Sequence, residues 1–265
     1  MIVKLSPSQL AAWEAGTWYD RYFAASVEEK SIYMEIGTAF DYYVKQAIME
    51  GWDCRFERAD KMQADYDACS AQARQIAASA WRWYYSSPAW KRLALVCSAA
   101  DGIFLEEAIS VALAGGVLVR GYADFIAVLG HERFVLDWKV RTGASAAHGT
   151  GYVWTSSTGR PHKKVGCLIP NSWIGPINGE GISTAYNLQL GTYGSACNAT
   201  VLGVDEIIMD KADAWSGSMI RHKHVHDSGL WDRYEKMGRA IADFDRLSTI
   251  YPLIKYADWL KFVSR

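Results

Sequence analysis

A chain of 265 residues is long enough for one large domain or two smaller ones, and with half its residues apolar it can bury a sizeable core. Its 28 basic and 29 acidic side chains leave a net charge of −1, which excludes bulk attraction to a polyanion. Any nucleic-acid contact would need locally gathered positive charge.

Five cysteines (Cys54, Cys69, Cys97, Cys167 and Cys197) lie far apart with no CxxC, which argues against a disulfide framework, a zinc site or an iron–sulfur cluster. No apolar run reaches the ~18 residues needed to span a membrane. The start, "MIVKLSPSQLAAWEAG", shows no signal-peptide core. A reducing cytoplasm is the expected location. Twelve Trp and fifteen Tyr are many, and serve either the core or stacking on a ligand.

The first hundred residues read as helical. "SPSQLAAWEAGTWYDRYFAA" opens on Ser6 as N-cap with Pro7 at the first helical position. "SIYMEIGTAFDYYVKQAIMEG" has helical apolar spacing and ends at Gly51. Residues 57–86 read as one long helix with no proline. The pattern then changes to strands. "IFLEEAISVALAGG" and "VLVRGYADFIAVLG" are joined by Gly115–Gly116, a hairpin signal, and "ERFVLDWKV" follows a short turn at Gly130. These three predict an antiparallel meander. Residues 141–182 are rich in Gly, Ser and Thr with weak periodicity, a length of loop that is usually functional. "STAYNLQLGTYGSACNAT" reads as a helix, "VDEIIMDKA" and "SMIRHKHVH" as strands, and "GLWDRYEKMGRAIADFDRL" as a closing helix. No repeat or linker appears, so the expectation is a single α/β domain over 1–265. Its parts are a helical region (1–100), a run of strands (101–140), a long loop (141–182) and the rest of the core (183–265).

In "VLDWKV", residues 135–140, strand periodicity puts Asp137 and Lys139 on one face and Leu136, Trp138 and Val140 on the other. That pattern fits an edge strand with an ion pair, or a metal-dependent site. Asp124 lies on the preceding strand, twelve residues before Asp137, so a tight turn can set the two carboxylates side by side. Paired carboxylates both stay ionised only with a cation between them. Mg²⁺ or Mn²⁺, hard ions that favour oxygen ligands, suit that role, and a lysine on the same face can steady a water or a phosphate.

Asp124 followed by Asp137-Trp138-Lys139 resembles the PD-(D/E)XK nuclease superfamily, which carries an Asp on one strand and D/E-x-K on the next. "LSPSQL" at 5–10, "GTAFD" at 37–41 and Gln189-Leu-Gly-Thr-Tyr193 are similar, in order, to motifs of its RecB-like and phage-exonuclease branch. Asp41 stands where that branch has His. The cysteines of its cluster-bearing members are absent.

The resemblance implies a restriction-endonuclease-like core: a mixed sheet of about five strands flanked by helices. It implies a Mg²⁺- or Mn²⁺-dependent deoxyribonuclease, an exonuclease of phage or mobile-element recombination or repair. DNA would be its substrate, a single-strand annealing or recombination protein its partner, and a ring homo-oligomer its assembly. Asp124, Asp137, the Trp138 carbonyl and Asp41 would hold the metal, with Glu107 preferred over Glu106 as a further ligand. Lys139 would orient or activate the water, and Gln189 and Tyr193 would support the site and the phosphate. Gly37, one turn before Asp41, would leave room for metal or DNA.

From Val140 to Gly179 there is no Asp or Glu, while Arg141, Arg160, Lys163, Lys164, His148 and His162 are interleaved with Tyr152, Trp154 and Trp173. Basic groups neutralise phosphates and aromatics stack on bases, so this stretch reads as a DNA-contacting flap or else as a solvated insertion. His222, His224 and His226 share a strand face with Arg221 and Lys223 between them, which reads as a plain exposed strand or a phosphate-facing one ahead of a zinc site, since no Cys or carboxylate completes a ligand set. The alternative for the whole chain is a nuclease-fold module that binds nucleic acid without cutting it; a structural assembly protein is a third class.

Overall fold

A computed structural model describes residues 2–14, 31–142, 145–148, 151–154, 184–209, 217–223 and 228–250. After strand β1 (Val3–Leu5) comes α1 (Pro7–Glu14), then α2 (Ile32–Gly51), α3 (Ala59–Asp67), α4 (Ala71–Ser86) and α5 (Pro88–Ala99). The long helix expected over 57–86 is two. Ser70 breaks it, because its hydroxyl accepts the Ala73 N–H and starts α4 afresh. Ser87 does the same for α5, accepting the Trp90 N–H with Pro88 at the first helical position.

The meander forms as expected from β2 (Gly102–Leu113), β3 (Val117–Leu129) and β4 (Glu132–Thr142), antiparallel throughout. Gly115 and Gly116 turn the first hairpin with φ of 72° and 78°, a left-handed pair that suits glycine. A short antiparallel pair, β5 (Ser145–His148) and β6 (Gly151–Trp154), follows inside the stretch read as a loop. Then come α6 (Thr184–Cys197), β7 (Val201–Met209), β8 (Gly217–Lys223) and α7 (Leu230–Ile250).

The result is an α/β fold with a mixed sheet, one strand more than expected because β1 joins it. β1 and β7 pair parallel to β3 and β4, and β8 pairs antiparallel to β7. One face of the sheet carries α2, α4 and α5 over a core that includes Phe40, Val44, Ile48, Tyr84, Phe125, Leu136 and Trp138. On the other face Tyr193 and Cys197 of α6 pack on Ile109, Ala123, Ile126 and Val135. Among the described residues no helix is long and apolar enough to cross a membrane.

β2 lines β3 along one edge, from Leu113↔Val117 to Gly102↔Val128. The other edge is shared: β1 covers Val117–Val119 and β4 covers Phe125–Leu129. Residues 120–124 therefore have a partner strand on one side and a gap on the other. The gap opens at Asp124.

Candidate active site

The β3–β4 register runs Phe125↔Leu136, so continuing it one step sets Asp124 opposite Asp137, at the point where the strands part. The two carboxyl groups are in hydrogen-bond contact. Such contact needs either a shared proton or a cation between them. Asp137 is 1% exposed, and burial holds its pKa well above the carboxylate range despite Lys139, with the Asp124 charge pushing the same way. Burial acts on Asp124 too, but Lys45, the hydrogen bond from Asp137 and Lys139 outweigh it and bring its pKa down to about 2. Without a metal the proton therefore sits on Asp137 and is donated to Asp124.

Leu136 and Trp138 are buried in the core and Asp137 and Lys139 point to the opposite face, as the alternation predicts. Lys139 is 31% exposed and its ammonium lies in ion-pair contact with Asp137 Oδ2, without hydrogen-bond geometry. Burial would lower its pKa, yet Asp137 and Asp124 hold it above the usual lysine value, so it is a cation here and not a base. Gln189 Nε2 donates to Asp137 Oδ1 at 2.7 Å, so α6 fixes the carboxyl from behind.

Tyr193, one turn further along α6, is buried, and its ring lies against Gly121 of β3. Burial and the Asp124 and Asp137 charges raise its pKa, so it is a neutral phenol that packs behind the carboxylates. At Gly37 an added methyl would meet nothing within 4 Å among the described residues.

Two residues of the site depart from the sequence reading, one missing from it and one set second. Lys45 of α2 is 0% exposed, and its ammonium pairs with Asp41, with Glu106 and, at 3.5 Å, with Asp124 Oδ1. The i,i+4 spacing of Asp41 and Lys45 was the available signal: a lysine beside the apolar row Phe40, Val44 and Ile48 needs a buried partner.

The second is Glu106, and it corrects the preference for Glu107. Glu106 has φ of 51°, in the left-handed region that a residue with a side chain rarely adopts. There the alternation of β2 turns over: Leu105 packs under α2, and Ile109 packs under α6. Glu106 thereby joins Lys45 and receives Arg58 Nη1 at 2.7 Å. Glu107 pairs with Ala123, and its charge bears on Arg55 and Cys197 instead.

Asp41, Glu106 and Asp124 each offer a carboxylate oxygen, all within 4.8 Å of one another. Asp41 is 28% exposed; burial, against the pull of Lys45, pushes its pKa up to about 7. Hard oxygen donors fit Mg²⁺ or Mn²⁺. The Asp124–Asp137 pair is a second place where a cation would relieve repulsion between carboxylates.

Arg58 also covers the exposed Tyr122 ring, 3.9 Å from guanidinium carbon to ring centre, at the rim of the same gap. Of the expected DNA-contacting residues, Arg160, Lys163 and Lys164 lie outside the described residues. Arg141 and Trp154 are placed by backbone, at the ends of β4 and β6. His222 lies on β8 opposite Val204, while His224 and His226 lie outside the described residues.

No protein-family model matches the chain, and no curated protein is significantly similar to it in sequence. Among solved structures it is similar to a "Putative exonuclease" from Eubacterium rectale, with 11% identity over 95% of this chain and 83% of that one and a TM-score of 0.48. It is also similar to a protein named SSO0001, with 11% identity over 88% of this chain and 85% of that one and a TM-score of 0.31. Neither likeness decides the function of this chain.

Proposed function

We propose that the chain is a divalent-metal-dependent deoxyribonuclease of the PD-(D/E)XK type. The observation that carries this reading is the pair Asp124–Asp137 at the parting of β3 and β4, with Lys139 on the same face and Gln189 bonded to Asp137. Asp124, Asp137 and the Trp138 carbonyl would hold Mg²⁺ or Mn²⁺. A metal held there would polarise the phosphodiester and acidify the attacking water.

The chain's own groups do the rest. Lys139, held as a cation, places its ammonium against the phosphate or the water. Gln189 keeps the Asp137 carboxyl in one orientation, and Tyr193 keeps α6 at its distance from β3. Asp41 and Glu106 act on Asp124 through Lys45. Arg58 and Tyr122 offer a guanidinium and an aromatic face where DNA would enter. By the same resemblance, the role is that of an end-dependent exonuclease in phage or mobile-element recombination or repair, working as a homo-oligomer beside an annealing protein.

The test is digestion of linear double-stranded, circular and single-stranded DNA with Mg²⁺, Mn²⁺ or EDTA, beside Lys139→Ala. The expected result is metal-dependent loss of linear DNA, with at least a 100-fold lower rate in Lys139→Ala, the order of removing one preorganised charge from a site of charge development. Cleavage of circles would make it an endonuclease. DNA binding without cleavage, insensitive to Lys139→Ala, would replace the enzyme with a nucleic-acid-binding module.

A further inference from the structure

We propose that the Lys45 ammonium is a resident cation standing in for a second divalent ion, so that the site takes a single exchangeable metal, at Asp124 and Asp137. The inference rests on the metal-dependent reading above and adds to it how many ions the site holds.

The three carboxylates around Lys45 form a cage of the size and chemistry that would hold a hard cation. The cage is already filled. An ammonium has three N–H donors, and here three carboxylates face it: Asp41, Glu106 and Asp124. Lys45 is shut off from solvent, so the ammonium has no water to turn to if a metal takes its place. Glu106 is committed on both sides, with Oε1 on Lys45 and Oε2 on Arg58. The unusual backbone at Glu106 is what turns its carboxylate into this cage. A strained residue persists where its surroundings over-determine it, and here the ion pairs are those surroundings.

The pair Asp124–Asp137 is different. Asp137 Oδ2 is buried and accepts no hydrogen bond among the described residues, the cation close to it among them is Lys139, and the carboxyl leans on another carboxyl. Coordination capacity is open there and closed at Lys45. A tethered +1 charge also differs in function from a metal. It cannot be removed by a chelator, and it cannot acidify water. Lys45 is on this account a positioning residue that holds Asp41, Glu106 and Asp124 together.

The experiment counts Mn²⁺ bound per full-length chain by electron paramagnetic resonance of the free ion, with affinity from the same titration. Wild type, Lys45→Met, Glu106→Gln and the Lys45→Met/Glu106→Gln double variant are compared. The expected counts are one for wild type and two for Lys45→Met, returning to one when Glu106→Gln is added.

Two ions in the wild type would overturn the inference, as would a single ion in both the wild type and Lys45→Met. Should Lys45→Met not fold, Glu106→Gln decides alone. Wild-type stoichiometry with affinity within about threefold supports the inference, and a tenfold or greater loss makes Glu106 a ligand and overturns it. No Mn²⁺ on wild type but one on Lys45→Met, lost again with Glu106→Gln, would uphold the role of Lys45 while removing the metal from Asp124–Asp137, and with it the nuclease reading. No Mn²⁺ on either protein would overturn both.

Discussion

Replacing Gly121 by Ala tests how closely α6 is pressed against the active strand. Gly121 sits on β3 opposite Ile109, three residues before Asp124. A Cβ there would lie 2.7 Å from Tyr193 Cε1, 2.9 Å from its hydroxyl and 3.2 Å from Cζ. Ordinary contact begins at 3.4 Å, so the ring must retreat by about 0.7 Å. The ring has little room to do so, because Tyr193 is buried among Ile109, Ala123, Ile126, Val135 and Cys197.

Overpacking of this kind costs ~1–3 kcal/mol, and a clash with a rigid ring in a closed cluster belongs in the middle of that range, at ~2 kcal/mol. For a chain of this size, that lowers Tm by roughly 4–8 °C. The assay is thermal unfolding of wild type, Gly121→Ala, Tyr193→Ala and the double variant. With the ring gone the three closest contacts of the added methyl are removed, so Gly121→Ala should cost less than ~0.5 kcal/mol in the Tyr193→Ala background, a coupling of at least ~1.5 kcal/mol. Equal losses in both backgrounds would refute the contact. Because Gln189 lies one turn before Tyr193, the same methyl should also loosen the Gln189–Asp137 bond and weaken Mn²⁺ binding.

Two further predictions concern the core behind the site and its pH response. The Trp138 indole donates to the Tyr84 hydroxyl at 3.0 Å, and that hydroxyl donates to Asp205 Oδ2 at 2.7 Å. Tyr84→Phe removes both bonds, and should lower the urea midpoint by the equivalent of ~1–3 kcal/mol with an unchanged slope. Asp41 binds its proton more tightly folded, to a pKa of about 7, than unfolded, near ~4. Its contribution to the metal-free fold is therefore most favourable below ~4 and declines as pH rises towards 7. Thermal scans in EDTA should show Tm falling over that window relative to Asp41→Asn; parallel curves for the two proteins would contradict the assignment. Asp124, brought down to about 2, acts oppositely: its contribution is present above ~4 and is lost as pH falls towards 2.

What the sequence disclosed follows the range of the interactions involved. The meander rests on neighbouring residues, with period-two apolar runs and Gly115–Gly116 between them, and it was legible. So was the division of "VLDWKV" into a core face and a functional face. The parallel pairing of β4 with β7 joins Phe134 to Val201 across a long insertion, and nothing local encodes it. The break at Ser70 was legible in kind, since Ser is a good N-cap, but a helix without proline hid it. Lys45 was passed over because its partners, Glu106 and Asp124, come from strands more than 60 residues away. The choice between Glu106 and Glu107 turned on a backbone reversal that alternation cannot foresee.

The charges around the gap in β3 pairing point to the same conclusion. Asp41, Glu106, Asp124 and Asp137 face Lys45, Arg58 and Lys139, four potential negative charges against three positive. Fully ionised, the cluster carries one negative charge, and in the metal-free protein protonation, first at Asp137 and then at Asp41, removes it. One divalent ion in place of that protonation would make the cluster +1, the complement of one phosphodiester. Two ions would make it +3 in a site largely closed to water, a charge that a single phosphate could not balance. The electrostatics of the cluster therefore favour one exchangeable ion, with Lys45 supplying the other cation.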